Sequence, residues 1–151
     1  MINIETHSFE ETVQFGRKLG SKLKPGDVIC LTGDLGTGKT ALTNGIAKEL
    51  GIDSYITSPT FTLVNEYQGK YPLYHFDVYR IADPDEMFDI GFEEYLNSDG
   101  ITIIEWGELI WPILPKEIIK VDIQKNLNKG LDIRNISVEF IGSKYSGYEL
   151  K

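Results

Sequence analysis

One stretch of eight residues constrains this chain more than any other. It reads Gly33-Asp34-Leu35-Gly36-Thr37-Gly38-Lys39-Thr40, the pattern Gly-x-x-x-x-Gly-Lys-Ser/Thr. Glycines at these places let backbone N–H groups turn inward around an anion. The lysine of the pattern reaches β- and γ-phosphates, and its hydroxyl residue ligates Mg²⁺. Such a loop opens a helix, whose N-terminal partial positive charge adds to the attraction. The flanking sequence supplies the required setting. Asp27-Val28-Ile29-Cys30-Leu31-Thr32 reads as a buried strand, and residues 41–50 read as a helix stopped by Gly51. A phosphate site formed by Asp34, Leu35, Gly36, Thr37, Gly38, Lys39 and Thr40 is the first expectation.

The remaining chain supplies the other elements of one α/β domain. Residues 2–5 suit a short strand, and Ser8-Phe9-Glu10-Glu11 is a capping box for a helix ending near Leu23. Residues 61–67 and 71–77 read as strands joined by Gln68-Gly69-Lys70, a β-hairpin. Asp83-Pro84 starts a helix carrying Met87, Phe88 and Ile90. Residues 101–105 form an apolar strand, and 118–123 and 131–140 a closing pair. The hairpin and the closing pair predict a single-domain, three-layer phosphate-loop NTPase-like fold whose central sheet mixes parallel and antiparallel strands. The domain is expected over residues 1–142, and residues 143–151 are read as a disordered tail.

Composition narrows the partners. The 151 residues carry a formal charge of −8 and only three arginines, Arg17, Arg80 and Arg134. A basic face is the electrostatic footprint of a nucleic-acid binder, and none is visible, so DNA is not expected and RNA only through a partner. No apolar run approaches the ~20 residues of a membrane span, and no signal-peptide pattern opens the sequence. The single cysteine, Cys30, cannot form an internal disulfide and reads as a buried small apolar residue. These features predict a cytoplasmic protein.

Hydrolysis needs a metal-supporting carboxylate, a group that orients water and a γ-phosphate sensor. Glu105 ends an apolar strand, where a carboxylate faces the ligand crevice. It is assigned to Mg²⁺, directly or through water, against the alternative of a solvated strand end. Asp77 ends another strand and opens Asp77-Val78-Tyr79-Arg80. It is assigned to orienting or deprotonating the water, against an ion pair with Arg80. Thr60, after Ser58-Pro59, reads as a switch-like sensor or as an ordinary turn hydroxyl. Trp106 reads as a neighbour of the nucleotide or as a core residue, and Arg80 as a phosphate or partner contact or a structural ion pair. His7 and His75 lack metal-like spacing and are assigned to no site.

Together these motifs resemble the TsaE (YjeE) family, the bacterial ATPase of the tRNA threonylcarbamoyladenosine pathway. The resemblance rests on the phosphate loop, on Ser58-Pro59-Thr60-Phe61-Thr62-Leu63-Val64-Asn65-Glu66-Tyr67, on His75-Phe76-Asp77-Val78-Tyr79-Arg80, on Ala82-Asp83-Pro84-Asp85-Glu86 and on Ile104-Glu105-Trp106. It runs from about residue 9 to residue 134. It implies ATP and Mg²⁺ as cofactors and weak hydrolysis to ADP and phosphate, stimulated by the TsaB–TsaD pair. That pair transfers a threonylcarbamoyl group to adenosine 37 of tRNAs reading codons that begin with A, and ATP is implied to reset it between turnovers. In the family, the residues matching Thr40 and Glu105 attend Mg²⁺, the one matching Asp77 is needed for activity, and the one matching Trp106 lies near the site. By family position Phe9 and Gly130 flank the base, although Phe9 also reads as a helix staple and Gly130 as a turn residue. Thr37 stands where the family usually has Ala and keeps its backbone N–H, and Ala41 stands where a second Thr is common and removes at most a secondary hydroxyl contact. Competing readings are a small-molecule kinase, disfavoured by so few arginines, and a nucleotide-holding scaffold. A GTPase is rejected because Asn128-Lys129-Gly130-Leu131-Asp132 misses the guanine-reading spacing by one residue.

Overall fold

The computed structural model describes residues 1–34, 36–54, 56, 57, 59 and 63–148. In chain order the elements are β1 (Ile2–Thr6), α1 (Phe9–Gly20), β2 (Val28–Thr32), α2 (Lys39–Glu49), β3 (Val64–Gln68), β4 (Pro72–Asp77), α3 (Glu86–Asp89), α4 (Phe92–Leu96), β5 (Ile101–Glu105), β6 (Ile118–Lys125) and β7 (Arg134–Ile141). Short 3-10 turns cover Gly107–Ile113 and Ser143–Tyr145. The seven strands form one sheet in the order β1-β7-β6-β2-β5-β4-β3. β2 runs parallel to both neighbours, β5 and β6, and β4 runs parallel to β5. The β3–β4 hairpin and β7, which pairs with β6 and β1, are antiparallel. The sheet is therefore mixed, as expected, with its parallel part at the centre.

Side-chain alternation divides the core into two layers. Ile29 and Leu31 of β2, Ile101 and Ile103 of β5, and Ile119, Val121 and Ile123 of β6 face α1 and α2, meeting Phe15, Leu19, Leu42 and Ile46. Val28 and Cys30, with Phe76 and Ile104, point the other way onto Met87, Phe92 and Ile110. β2 and β5 are buried on both faces, which is why they read as unbroken apolar runs.

The predicted cap at Ser8 forms, its Oγ accepting the Glu11 N–H at 3.1 Å. The Glu11 carboxylate reaches one residue further back than a capping box requires and accepts from the His7 N–H at 3.2 Å. The single helix expected after Pro84 is two short ones, because Gly91 adopts φ +76° between them. Of the strand expected at 61–67, Phe61 and Thr62 lie outside the described residues. The expectation of a disordered tail needs correction for residues 143–148. Tyr145 is buried in the core, its hydroxyl accepting the Val28 N–H at 3.4 Å, and the Tyr148 hydroxyl donates to Asp27 Oδ2 at 2.9 Å.

Helix α1 crosses α2 glycine to glycine. A Cβ on Gly45 would lie 2.9 Å from both the Arg17 nitrogen and Gly16 Cα and would strike the Val13 carbonyl. One on Gly16 would strike the Leu42 carbonyl and lie 3.1 Å from Gly45 Cα. This approach brings α1 against the helix that carries Lys39 and Thr40. Gly45→Ala is expected to destabilise the fold by about 1–3 kcal/mol, the usual scale of overpacking. Denaturant unfolding checks this, and a change below about 0.5 kcal/mol would contradict the contact. Cys30 gives a second check. Burial pushes its thiol pKa up to about 11, so thiolate is scarce at pH 8, and labelling by a thiol reagent is expected only when the domain unfolds.

Candidate nucleotide site

The loop after β2 leaves the carboxyl edge of the sheet and enters α2. Gly36 has φ +78° and Gly38 φ +113°, left-handed values that glycine adopts without Cβ strain. Gly38 sits at the N-cap of α2 without a side-chain cap, so an anion can meet the first N–H groups of that helix. The Thr37 side chain closes the loop on itself, donating from Oγ1 to the Asp34 carbonyl at 2.9 Å. This hydroxyl, absent where alanine stands, stiffens the loop together with the Thr37 N–H, which donates to the same Asp34 carbonyl at 3.4 Å. Leu35 lies outside the described residues.

Lys39 is nearly buried. Its Nζ donates to the Gly33 carbonyl at 2.7 Å and stands 4.0 Å from the centroid of the Trp106 ring. Trp106 is thus placed against the loop lysine, half-buried, with the Tyr79 ring 4.8 Å away on the other strand end. Its backbone has φ +63°, an uncommon conformation for a large side chain.

The two expected carboxylates stand side by side, since Asp77 at the end of β4 is in register with Glu105 at the end of β5. Glu105 is only 2 % exposed, which removes the solvated alternative. Its Oε2 is hydrogen-bonded to Nε2 of His75, which is fully buried on β4. His75 was assigned to no site from the sequence, yet it holds the central carboxylate. The available signal was the His-x-Asp spacing, because residues two apart on a strand share a face. Asp77 is half-buried and accepts the Tyr79 N–H at 3.0 Å through Oδ1. Burial raises its pKa above the ordinary aspartate value and the neighbouring Glu105 charge adds to this, while the Tyr79 N–H, His75 and Lys39 oppose it.

A hydroxyl, one or two carboxylates and the oxygens of a phosphate chain suit Mg²⁺, which prefers hard oxygen donors and keeps part of its shell outside the protein. Among the described residues no group of three or more His, Cys, Asp or Glu could hold a metal alone, so a cation at Thr40 and Glu105 would need oxygens from a ligand. Thr60 lies outside the described residues. Arg80 is exposed on the turn after β4. Phe9 is 62 % exposed, so it does not act as a staple. The first turn of α1 nevertheless reaches the loop, as Thr12 Cγ2 would stand 3.8 Å from a Cβ on Gly38. Gly130 donates its N–H to the Asn126 carbonyl at 3.1 Å, inside the turn between β6 and β7. A cavity of about 390 Å³ separates that turn from the loop, lined by Asp34, Thr37, Lys125 and Asn128.

Comparison with known proteins agrees with this geometry. Residues 6–135 match the family model described as "Threonylcarbamoyl adenosine biosynthesis protein TsaE". The tRNA threonylcarbamoyladenosine biosynthesis protein TsaE of Bacillus subtilis is 43% identical over 137 residues, covering 90% of this chain and 84% of that protein. Its namesake in Rickettsia bellii is 39% identical, covering 93% and 99%. The crystal structure of Bacillus subtilis YdiB superposes with a TM-score of 0.79 at 38% identity, over 96% of this chain and 88% of that one. A phosphate loop, a strand-end carboxylate pair and a family match spanning both give one conclusion: this chain belongs to the TsaE family.

Proposed function

We propose that this chain is a Mg²⁺-dependent ATPase that hydrolyses ATP to ADP and phosphate, weakly alone and faster on the TsaB–TsaD complex. In this reading hydrolysis resets that complex between rounds of threonylcarbamoylation of tRNA adenosine 37, in the cytoplasm. The observation that carries the reading is the meeting of Lys39, Trp106, Glu105 and Asp77 at one edge of the sheet. The loop N–H groups and Lys39 bind the phosphate chain. Thr40 and the His75-supported Glu105 hold Mg²⁺, which neutralises phosphate charge when bound. Asp77 orients the attacking water and accepts its proton, a role that a raised pKa favours. The strong acidity of the chain leaves tRNA to the partner proteins.

A kinase lid would need arginines over the phosphates. Arg17 pairs instead with Glu49 at 3.3 Å, and Arg134 is spent on backbone carbonyls. The names of the relatives, which place those proteins in threonylcarbamoyladenosine biosynthesis, support the partner assignment.

Mg²⁺-dependent ATP hydrolysis, measured while the purified TsaB–TsaD pair is titrated in, tests the proposal. Saturable stimulation is expected. A flat rate despite demonstrated ATP binding would favour a scaffold that only holds nucleotide. Asp77→Ala is expected to keep ADP affinity within a few-fold and to lower stimulated turnover by about 10²–10⁴-fold. Unchanged turnover would remove Asp77 from the mechanism.

A further inference from the structure

The phosphate loop and the turn at residues 126–133 are joined by a single guanidinium. Arg134, the first residue of β7, donates from Nε to the Thr37 carbonyl at 2.7 Å. Its Nη1 donates to the carbonyls of Leu131 at 2.8 Å and Ile133 at 3.1 Å. The guanidinium is a rigid planar fork, so acceptors that share it are fixed relative to one another. The turn is otherwise closed on itself by Asn126 N–H to the Ile133 carbonyl and Gly130 N–H to the Asn126 carbonyl, each at 3.1 Å.

The Thr37 carbonyl matters because of what lies across its peptide bond. The peptide is planar and trans, so its C=O and the following N–H point in opposite directions. Fixing the Thr37 carbonyl on Arg134 therefore fixes the direction of the Gly38 N–H. That N–H lies at the N-cap of α2, among the donors a phosphate would meet. The glycine there gives this plane freedom to rotate, and a rotated plane would turn a carbonyl toward the anion. The sequence offers no sign of this contact, which spans 97 residues.

We propose that Arg134 is a positioning residue for the nucleotide phosphates: it presets the Gly38 N–H and ties the 126–133 turn to the phosphate loop as one wall of the site. The inference rests on the nucleotide-binding part of the proposed function. It does not depend on the metal or on the partner complex.

The test is titration with the fluorescent analogue mant-ADP, in Mg²⁺, of the native protein, Arg134→Ala and Arg134→Lys. Melting curves and backbone amide exchange at Gly38 without nucleotide accompany it. Arg134→Ala is expected to raise Kd about tenfold, in line with loss of a charge-assisted hydrogen bond, and to speed exchange at Gly38. Arg134→Lys is expected to recover only part of this, because one ammonium cannot hold three carbonyls in a plane. In ATPase assays with TsaB–TsaD the loss should fall on KM more than on kcat. A lowered melting temperature with native Kd and native exchange would make Arg134 a stability residue and overturn the proposal, as would full recovery by lysine. Should Arg134→Ala fail to fold, Arg134→Lys decides, and a native Kd in it refutes the role. Failure of the native protein to bind mant-ADP counts against the ATPase reading, and Gly38 exchange then judges the positioning role separately.

Discussion

The site depends on where β2 ends. This strand is hydrogen-bonded along both edges, to β5 and β6, and its side chains are buried on both faces. It cannot shift by one residue without sending Ile29 and Leu31 to the wrong layer. The phosphate loop starts directly after its last residue and so inherits that rigidity. The same register places Glu105 beside Leu31 and Asp77 beside Glu105, so three neighbouring strands deliver loop, carboxylate and carboxylate to one edge. The arrangement of loop and carboxylates is set by sheet register.

Two carboxylates so close repel each other and resist burial, and His75 is the structural answer to half of that cost. A buried carboxylate needs a hydrogen-bonding partner, and Nε2 provides one from inside the core. Asp77 accepts the Tyr79 N–H, which offsets part of the cost; its burial, with the Glu105 charge beside it, raises its proton affinity. Environment thus gives two neighbouring acids different partners, a buried imidazole for Glu105 and a backbone N–H for Asp77.

The loop, its strand and its helix were legible because phosphate binding demands a local pattern within eight residues. Strands β4 and β5 were legible from apolar runs ending in Asp77 and Glu105. What could not be read depends on contacts between segments far apart in sequence. The His-x-Asp spacing puts His75 on the face of Asp77, but its partner Glu105 comes only with the pairing of β4 with β5. The crossing of α1 and α2 at Gly16 and Gly45 is a second such contact. The segment after Gly142 reads as a disordered tail, yet Tyr145 and Tyr148 fold back onto the start of β2, a placement fixed by the Val28 N–H and the Asp27 carboxylate. Local periodicity carries none of these pairings.

Trp106 brings the local and the long-range constraints together. Its left-handed backbone is of the sparsely populated kind that costs of order 1–3 kcal/mol and persists only where its surroundings impose it. Those surroundings are the buried end of β5 on one side and Gly107 on the other. At Gly107 a Cβ would strike Cys30 Sγ, so the backbone packs directly against β2 at this point. The left-handed backbone carries the indole onto Lys39, where ring and Gly33 carbonyl together hold an ammonium that has almost no access to water. Neither partner bears a formal charge. A polyphosphate offers that ammonium a far stronger counter-charge in the same low-dielectric setting, and until one binds the ring and the carbonyl keep the lysine ordered in the site. The backbone strain at Trp106 thus goes with a phosphate loop whose lysine is already in place.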